Sequence, residues 1–278
     1  MKNSLVSVSA ALFVNTLLVC GANATMVSSF EPNFTAPGVW FEDDTRDNGT
    51  TGVVDLTGAG GNLENNAPLG NSAAKLTTGM ANNDKAQVTV YDNFGTMEDF
   101  LASGTLAYDF YKALVPGGNI HAAAAIKLLV QDFNTTASDS FGAFVYEPYI
   151  NDGGAPVTTD EWATENITGT SGKFWSTGIY GQANQAGGPG QTMMDWFAQF
   201  GTDFLDANII GISVGVGSYN QGQEAYFDNI LFASGNIRAA YDFELETSTV
   251  PVPAALPLLG TGLALMGFVG WRRKHQQA

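Results

Sequence analysis

IIGISVGVGSYNQGQEAYFDNILF, Ile209 to Phe232, holds two apolar runs separated by glycine and polar residues. Ile209–Val216 and Ala225–Phe232 are too short for typical helices and too rich in β-branched and aromatic residues for loops, so both read as strands. The same punctuation recurs outward along the chain. Short apolar runs at Ala86–Tyr91, Thr105–Tyr111 and Phe141–Ile150 are separated by Gly, Asn, Asp and Thr clusters. In Thr105–Tyr111, Leu106, Tyr108 and Phe110 alternate with Ala107, Asp109 and Tyr111, a period of two that fits a half-buried strand. Ala122–Val130 suits strand or helix by propensity and reads as a strand beside strands. The expectation is an all-β chain built as a single β-sandwich, with no internal repeat.

One segment reads as a helix. Thr192 suits an N-cap, Asp195 lies in the first turn, and Met193, Trp196, Phe197 and Phe200 fall on one face. Gly201 ends it. An aromatic stripe of this kind is read as core.

The chain has 278 residues with 11 Lys+Arg against 27 Asp+Glu. All the acids lie between Glu31 and Glu246, together with seven of the basic residues. So acidic a surface repels phosphate backbones, which argues against nucleic acid as a partner. The one cysteine, Cys20, falls in a segment expected to be removed, so no disulfide framework is expected.

Both ends read as addresses. Lys2, the apolar stretch Leu5–Val19 and the small residues Ala22-Asn23-Ala24 form a signal peptide, with cleavage after Ala24. Leu17-Leu18-Val19-Cys20 raises a lipoprotein signal as an alternative, although Val19 stands where a small residue is wanted. At the other end, Ala254–Trp271 carries no charge over 18 residues, about the minimum for a spanning helix. Arg272, Arg273 and Lys274 follow as a basic stop. Domain bounds are therefore 1–24 signal peptide, 25–243 sandwich, 244–249 polar spacer and 250–278 tail, with the span at about 254–271.

The tail Val250-Pro251-Val252-Pro253-Ala254, its apolar span and its basic tip resemble the PEP-CTERM class of bacterial sorting signals, closest to the VPLPA variant with Val252 in place of Leu. That resemblance implies an exported surface or matrix protein whose tail is handled by exosortase, a membrane protease-transferase. An ordinary membrane anchor is the alternative. The resemblance implies nothing about the cargo.

A second resemblance covers most of the region between the ends. Phe174-Trp175-Ser176-Thr177-Gly178, the helix, Ala207–Ser218 and Ala225–Phe232 are similar to bacterial jelly-roll domains related to carbohydrate-binding modules. Phe30-Glu31 and Trp40 resemble their first strand. The resemblance implies a structural calcium ion shared by Glu31 and Asp228, which would supply carboxylates to a hard-oxygen shell. It leaves three functions open: a non-catalytic structural protein of a polysaccharide matrix, a glycan-binding module, or a two-carboxylate glycosidase.

Candidate sugar platforms are Trp162, Trp175, Tyr180, Tyr146 and Tyr149, each weighed against a place in the core. The acidic loop Phe41–Thr50 fails the EF-hand register and reads as solvated, with Arg46 relieving repulsion among Glu42, Asp43, Asp44 and Asp47. His121, the one histidine between the two ends, excludes a His-rich zinc site and reads as a strand-edge residue. No phosphate-binding glycine motif is present.

Overall fold

The computed structural model describes residues 24–131, 141–178 and 190–246. The chain divides into two units after Leu245, and the first carries the fold. Signal-peptide residue Ala22, the sorting residues Val250–Ala254, the basic stop and Tyr180 lie outside the described residues. No helix among the described residues is long and apolar enough to cross a membrane.

Among the described residues, thirteen strands form two sheets. They are β1 Thr25–Met26, β2 Trp40–Glu42, β3 Thr50–Asp55, β4 Ser72–Thr77, β5 Lys85–Tyr91, β6 Thr105–Lys112 and β7 Ala125–Gln131. The rest are β8 Phe141–Tyr146, β9 Trp162–Thr168, β10 Phe174–Thr177, β11 Asn208–Gly217, β12 Glu224–Ser234 and β13 Ile237–Asp242.

The six-stranded sheet runs β10-β8-β7-β11-β5-β2, antiparallel throughout. The seven-stranded sheet is organised around β12. Its one edge pairs with β6, and β9 lies beyond. Its other edge is shared, with β4 against Glu224–Phe227 and β13 against Ile230–Ser234. A register shift and the positive φ of Asn229 (51°) mark the change of partner.

The sheets pack face to face. Val88, Val90, Ile126, Leu128, Phe144 and Ile212 from one meet Leu76, Leu106, Phe110, Ile167 and Phe227 from the other in one core. Trp40 joins the layers, with its ring 5.3 Å from that of Tyr241 and 6.5 Å from that of Phe227. Tyr108 crosses them too, its hydroxyl donating to the Ala124 carbonyl at 2.7 Å. The observed architecture is therefore the β-sandwich expected from the strand pattern.

Among the described residues five short helices connect the strands, where the sequence reading expected one: α1 Gly61–Asn65, α2 Met97–Ser103, α3 Pro148–Asn151, α4 Met193–Phe200 and α5 Thr202–Leu205. α4 is the expected one, with a full Thr192–Asp195 capping box and Gly201 closing it. α2 has its own cap, Thr96 accepting from the Asp99 N–H, but seven residues are too few to show helical periodicity. Pro148 opens α3 and ends β8 at Tyr146, cutting short the strand expected to reach Ile150.

The first strand also differs. Phe30 and Glu31 lie on no ladder, and Glu31 makes an isolated parallel bridge to Phe41. Pro32 follows it and removes a donor. The first strand is instead Thr25–Met26, parallel to β13. At the other end the fold extends past the expected boundary at residue 243: Glu244 accepts a hydrogen bond from the Ser72 N–H at 3.0 Å.

Candidate functional site

The outer face of the six-stranded sheet is hollow, and register explains why. Inward residues of β11 are Ile212, Val214 and Val216, so Gly211, Ser213, Gly215 and Gly217 point outward. Gly215 pairs with Gln87 on one side and Ala125 on the other. Gly211 pairs with Tyr91 and Leu129, and the neighbour of Leu129 on β8 is Ala143. Small side chains thus fall side by side in the middle strands, while bulkier ones rise at the edges. The result is an open cleft of about 750 Å³, a size suited to a small ligand. A side chain on Gly215 would crowd its floor, since a Cβ there meets the Ala86 carbonyl oxygen at 3.2 Å and the Gln87 Cβ at 3.3 Å.

Polar groups on the floor hold one another in place. Gln87 donates to Asp43 Oδ2 at 3.0 Å, and Thr89 donates to the same oxygen at 2.9 Å. Lys127 donates to Gln87 Oε1. In register between Lys127 and Thr89 lies Ser213, whose buried hydroxyl has no partner. Asp44 takes both Lys85 and Arg46, the latter at 3.4 Å. Burial, with the charge of Lys85 adding to it, pulls the Lys127 ammonium down to about 7. Burial pushes the Glu147 carboxyl up, partly opposed by its hydrogen bond from Trp175.

Aromatic residues stand at both rims. Trp175 on β10 is half-buried, paired with Val145, and fixed by its indole N–H donating to Glu147 Oε2 at 2.9 Å. Tyr149 lines the same side. Across the cleft Tyr91 packs against Phe41 and Phe34, with centroids 5.5 and 5.7 Å away.

Of the five expected platforms, then, Trp175 and Tyr149 reach the cleft. Trp162 lies on the opposite sheet, its ring 5.6 Å from Tyr111 and its N–H donating to the Leu63 carbonyl at 3.1 Å. Tyr146 is in the core, its hydroxyl donating to Glu165 at 2.7 Å. His121 sits in the loop before β7, its ring 6.1 Å from that of Tyr149. The acidic loop is more than solvated, because Asp43 is drawn into the cleft network. Lys127 and Gln87 were visible in sequence only as polar residues interrupting the apolar strands AIKLLVQ and KAQVTVY.

The expected calcium pair falls on different surroundings. Glu31 is exposed. Asp228 is fully buried on β12 at the change of partner, where its Oδ1 accepts from the Phe243 N–H at 3.0 Å. Its Oδ2 has no partner, nor has the buried Oδ1 of Asp242. Burial pushes the Asp228 carboxyl up to about 7, with the charges of Asp242 and Glu244 raising it further. Two orphaned carboxylate oxygens suit a hard cation, but no group of three acidic, His or Cys residues converges among the described residues.

These features define a two-sheet β-sandwich with a ligand-sized cleft on one outer face. No protein-family description matches the chain, and no curated protein matches it. Among solved structures, it is similar to a family 11 carbohydrate-binding module from Clostridium thermocellum in complex with a β-1,3-1,4-mixed-linked tetrasaccharide. That pair shares 15% identity over 78% of this chain and 97% of the other, with a TM-score of 0.39. A family 11 module of a Clostridium thermocellum cellulosomal cellulase gives 16% identity, 82% and 99% coverage and a TM-score of 0.38. A family 61 module in complex with β-1,4-galactotriose gives 12%, 71% and 89%, and 0.30.

Proposed function

We propose that the chain is a non-catalytic glycan-binding module of an exported surface or matrix protein, with the cleft of the six-stranded sheet as its binding site. The observation that carries this reading is the pairing of aromatic rims with a fixed polar floor in an open, ligand-sized hollow. A sugar ring presents an apolar C–H face that packs on Trp175, and hydroxyls that exchange hydrogen bonds with Gln87, Asp43 and Thr89. Because the floor groups already hold one another, little ordering is left for the ligand to impose.

Affinity electrophoresis of the purified protein through a panel of polysaccharides tests it. Retention competed by the matching oligosaccharide is expected; a folded sample retained by none overturns the reading. Release of reducing ends from a retained glycan would instead favour a glycosidase using the cleft carboxylates.

Two further parts of the proposal start from the sequence, and the second also uses the unpartnered oxygens of Asp228 and Asp242. The Val250–Ala254 motif with its basic stop is handled by exosortase during export, and surface protein still carrying residues 262–274 by mass spectrometry would contradict that. A calcium ion at Asp228, with Asp242 in the place expected of Glu31, would stabilise the joint between β4, β12 and β13. A melting temperature unchanged between calcium and EDTA would remove it.

A further inference from the structure

We propose, building on glycan binding at this cleft, that its ligand is an anionic glycan, one bearing carboxylate or sulfate groups, and that Lys127 receives the anion. Charge distribution is the first support. Between Glu31 and Glu246 the chain has seven Lys and Arg against 27 acids, yet the cleft is lined by three of each: Arg46, Lys85 and Lys127 against Asp43, Asp44 and Glu147. Cations are thus concentrated where a ligand would sit, on a molecule that elsewhere repels anions.

Pairing inside the cleft sharpens the point. Asp44 serves two cations, Lys85 and Arg46. Asp43 is held by the neutral donors Gln87 and Thr89. Lys127 has only the neutral Gln87 amide oxygen as its acceptor and makes no direct ion pair among the described residues, although the charges of Asp44, Asp43 and Glu147 reach it. It stands on the floor in register between Ser213 of β11 and Val145 of β8. An ammonium has three donors, and a desolvated one without a counter-ion is costly. Burial suppresses the ionisation of Lys127 and outweighs the pull of those three carboxylates. A ligand carboxylate or sulfate at this point supplies the direct ion pair that Lys127 lacks, and its charge-assisted hydrogen bond is stronger than one to a hydroxyl. Elsewhere in the same sheet face, Trp175 and Tyr91 remain free to pack on the sugar rings.

The test runs the full chain by affinity electrophoresis in EDTA, which removes calcium bridges between acidic partners. Matrices are polygalacturonate and alginate, each beside its carboxyl-reduced form, and dextran sulfate beside dextran. Retention on an acidic matrix is expected to fall at least tenfold in its neutral counterpart. Whether the uronates or the sulfate retain the protein tells which anion the cleft takes. Lys127→Met should abolish the difference between acidic and neutral forms, and Lys127→Arg should keep it. Circular dichroism of both variants separates lost binding from lost fold; if Lys127→Met is unfolded, the loss on carboxyl reduction with intact protein still decides. Equal or stronger retention on the neutral forms overturns the anionic ligand and leaves glycan binding standing. Retention on none of these or of the wider neutral panel overturns both.

Discussion

The two outer faces of the sandwich obey the same alternation and end up opposite in kind. On the seven-stranded sheet the outward positions are large and mutually packed. Tyr111 and Tyr226 meet edge to face at 5.9 Å, Trp162 leans on Tyr111, and Leu56, Leu63 and Ala73 complete a second small core. On the six-stranded sheet the corresponding positions mix Gly211, Ser213, Gly215, Ala125 and Ala143 with Lys127, Leu129 and Val145; the apolar ones form a small cluster with Tyr91 and Trp175, and a cleft stays open above it. Charge follows the same division. One sheet closes over single carboxylate oxygens of Asp228 and Asp242 that have no partner, whereas the other displays its charges around a cleft. Closed aromatic packing serves stability; small residues between aromatic rims make room for a ligand.

The largest expected effect is on the closed side. With Asp228 raised to about 7, the folded chain holds a proton between about pH 4 and pH 7 that the unfolded chain releases. In EDTA, stability from this group should therefore fall as pH rises through that window and level off above it. The full cost of ionising it is of the order of 4 kcal/mol. Asp228→Asn should flatten the dependence of the urea midpoint on pH between 4 and 7. An unchanged slope would mean that the carboxyl is not the source.

Next come the two exposed-face tryptophans. Trp162→Ala should cost about 3 kcal/mol of stability and leave glycan retention unchanged. Trp175→Ala should cost little stability and weaken retention about tenfold, the loss of about 1.4 kcal/mol. If the two variants behaved alike in either assay, the distinction between the faces would fail.

Filling the faces tests the same contrast from the other direction. Ala73→Trp, at a fully buried position, should destabilise by about 2 kcal/mol or more through overpacking. Ala125→Trp, at a buried position that lines the cleft, should abolish retention and cost less unfolding free energy than Ala73→Trp, because its ring has the cleft to enter. A smaller effect belongs to neither face: Thr192→Ala removes the cap of α4 and should cost about 1 kcal/mol without touching retention.

Much of this contrast was written in the strands, but its consequence was not. Short apolar runs between polar clusters located β5, β6, β11 and β12 to within a residue or two, and Thr192 with Gly201 bounded α4. The sequence could not say that β12 changes partner halfway, because that depends on which loops bring β4 and β13 to the same edge. Nor could it reveal the hollow. Gly215 and Ala125 are unremarkable in their own strands and make a floor only when antiparallel register sets them side by side. Trp162 and Trp175 are indistinguishable by composition, each a tryptophan in a polar neighbourhood, and only sheet membership separates them. Asp43 was obscured by the acids around it, since its role depends on Gln87 and Thr89 over forty residues away.

The most direct measurement is a ¹H–¹⁵N spectrum of the tryptophan indoles during titration with whichever oligosaccharide competes for retention. The chain has five tryptophans, so the signals can be assigned one by one by substitution. The expected result is that the Trp175 indole, whose N–H is held by Glu147 inside the cleft, shifts with saturation while Trp162 stays fixed. Movement of Trp162 with Trp175 unperturbed would place the ligand on the packed face and contradict the account.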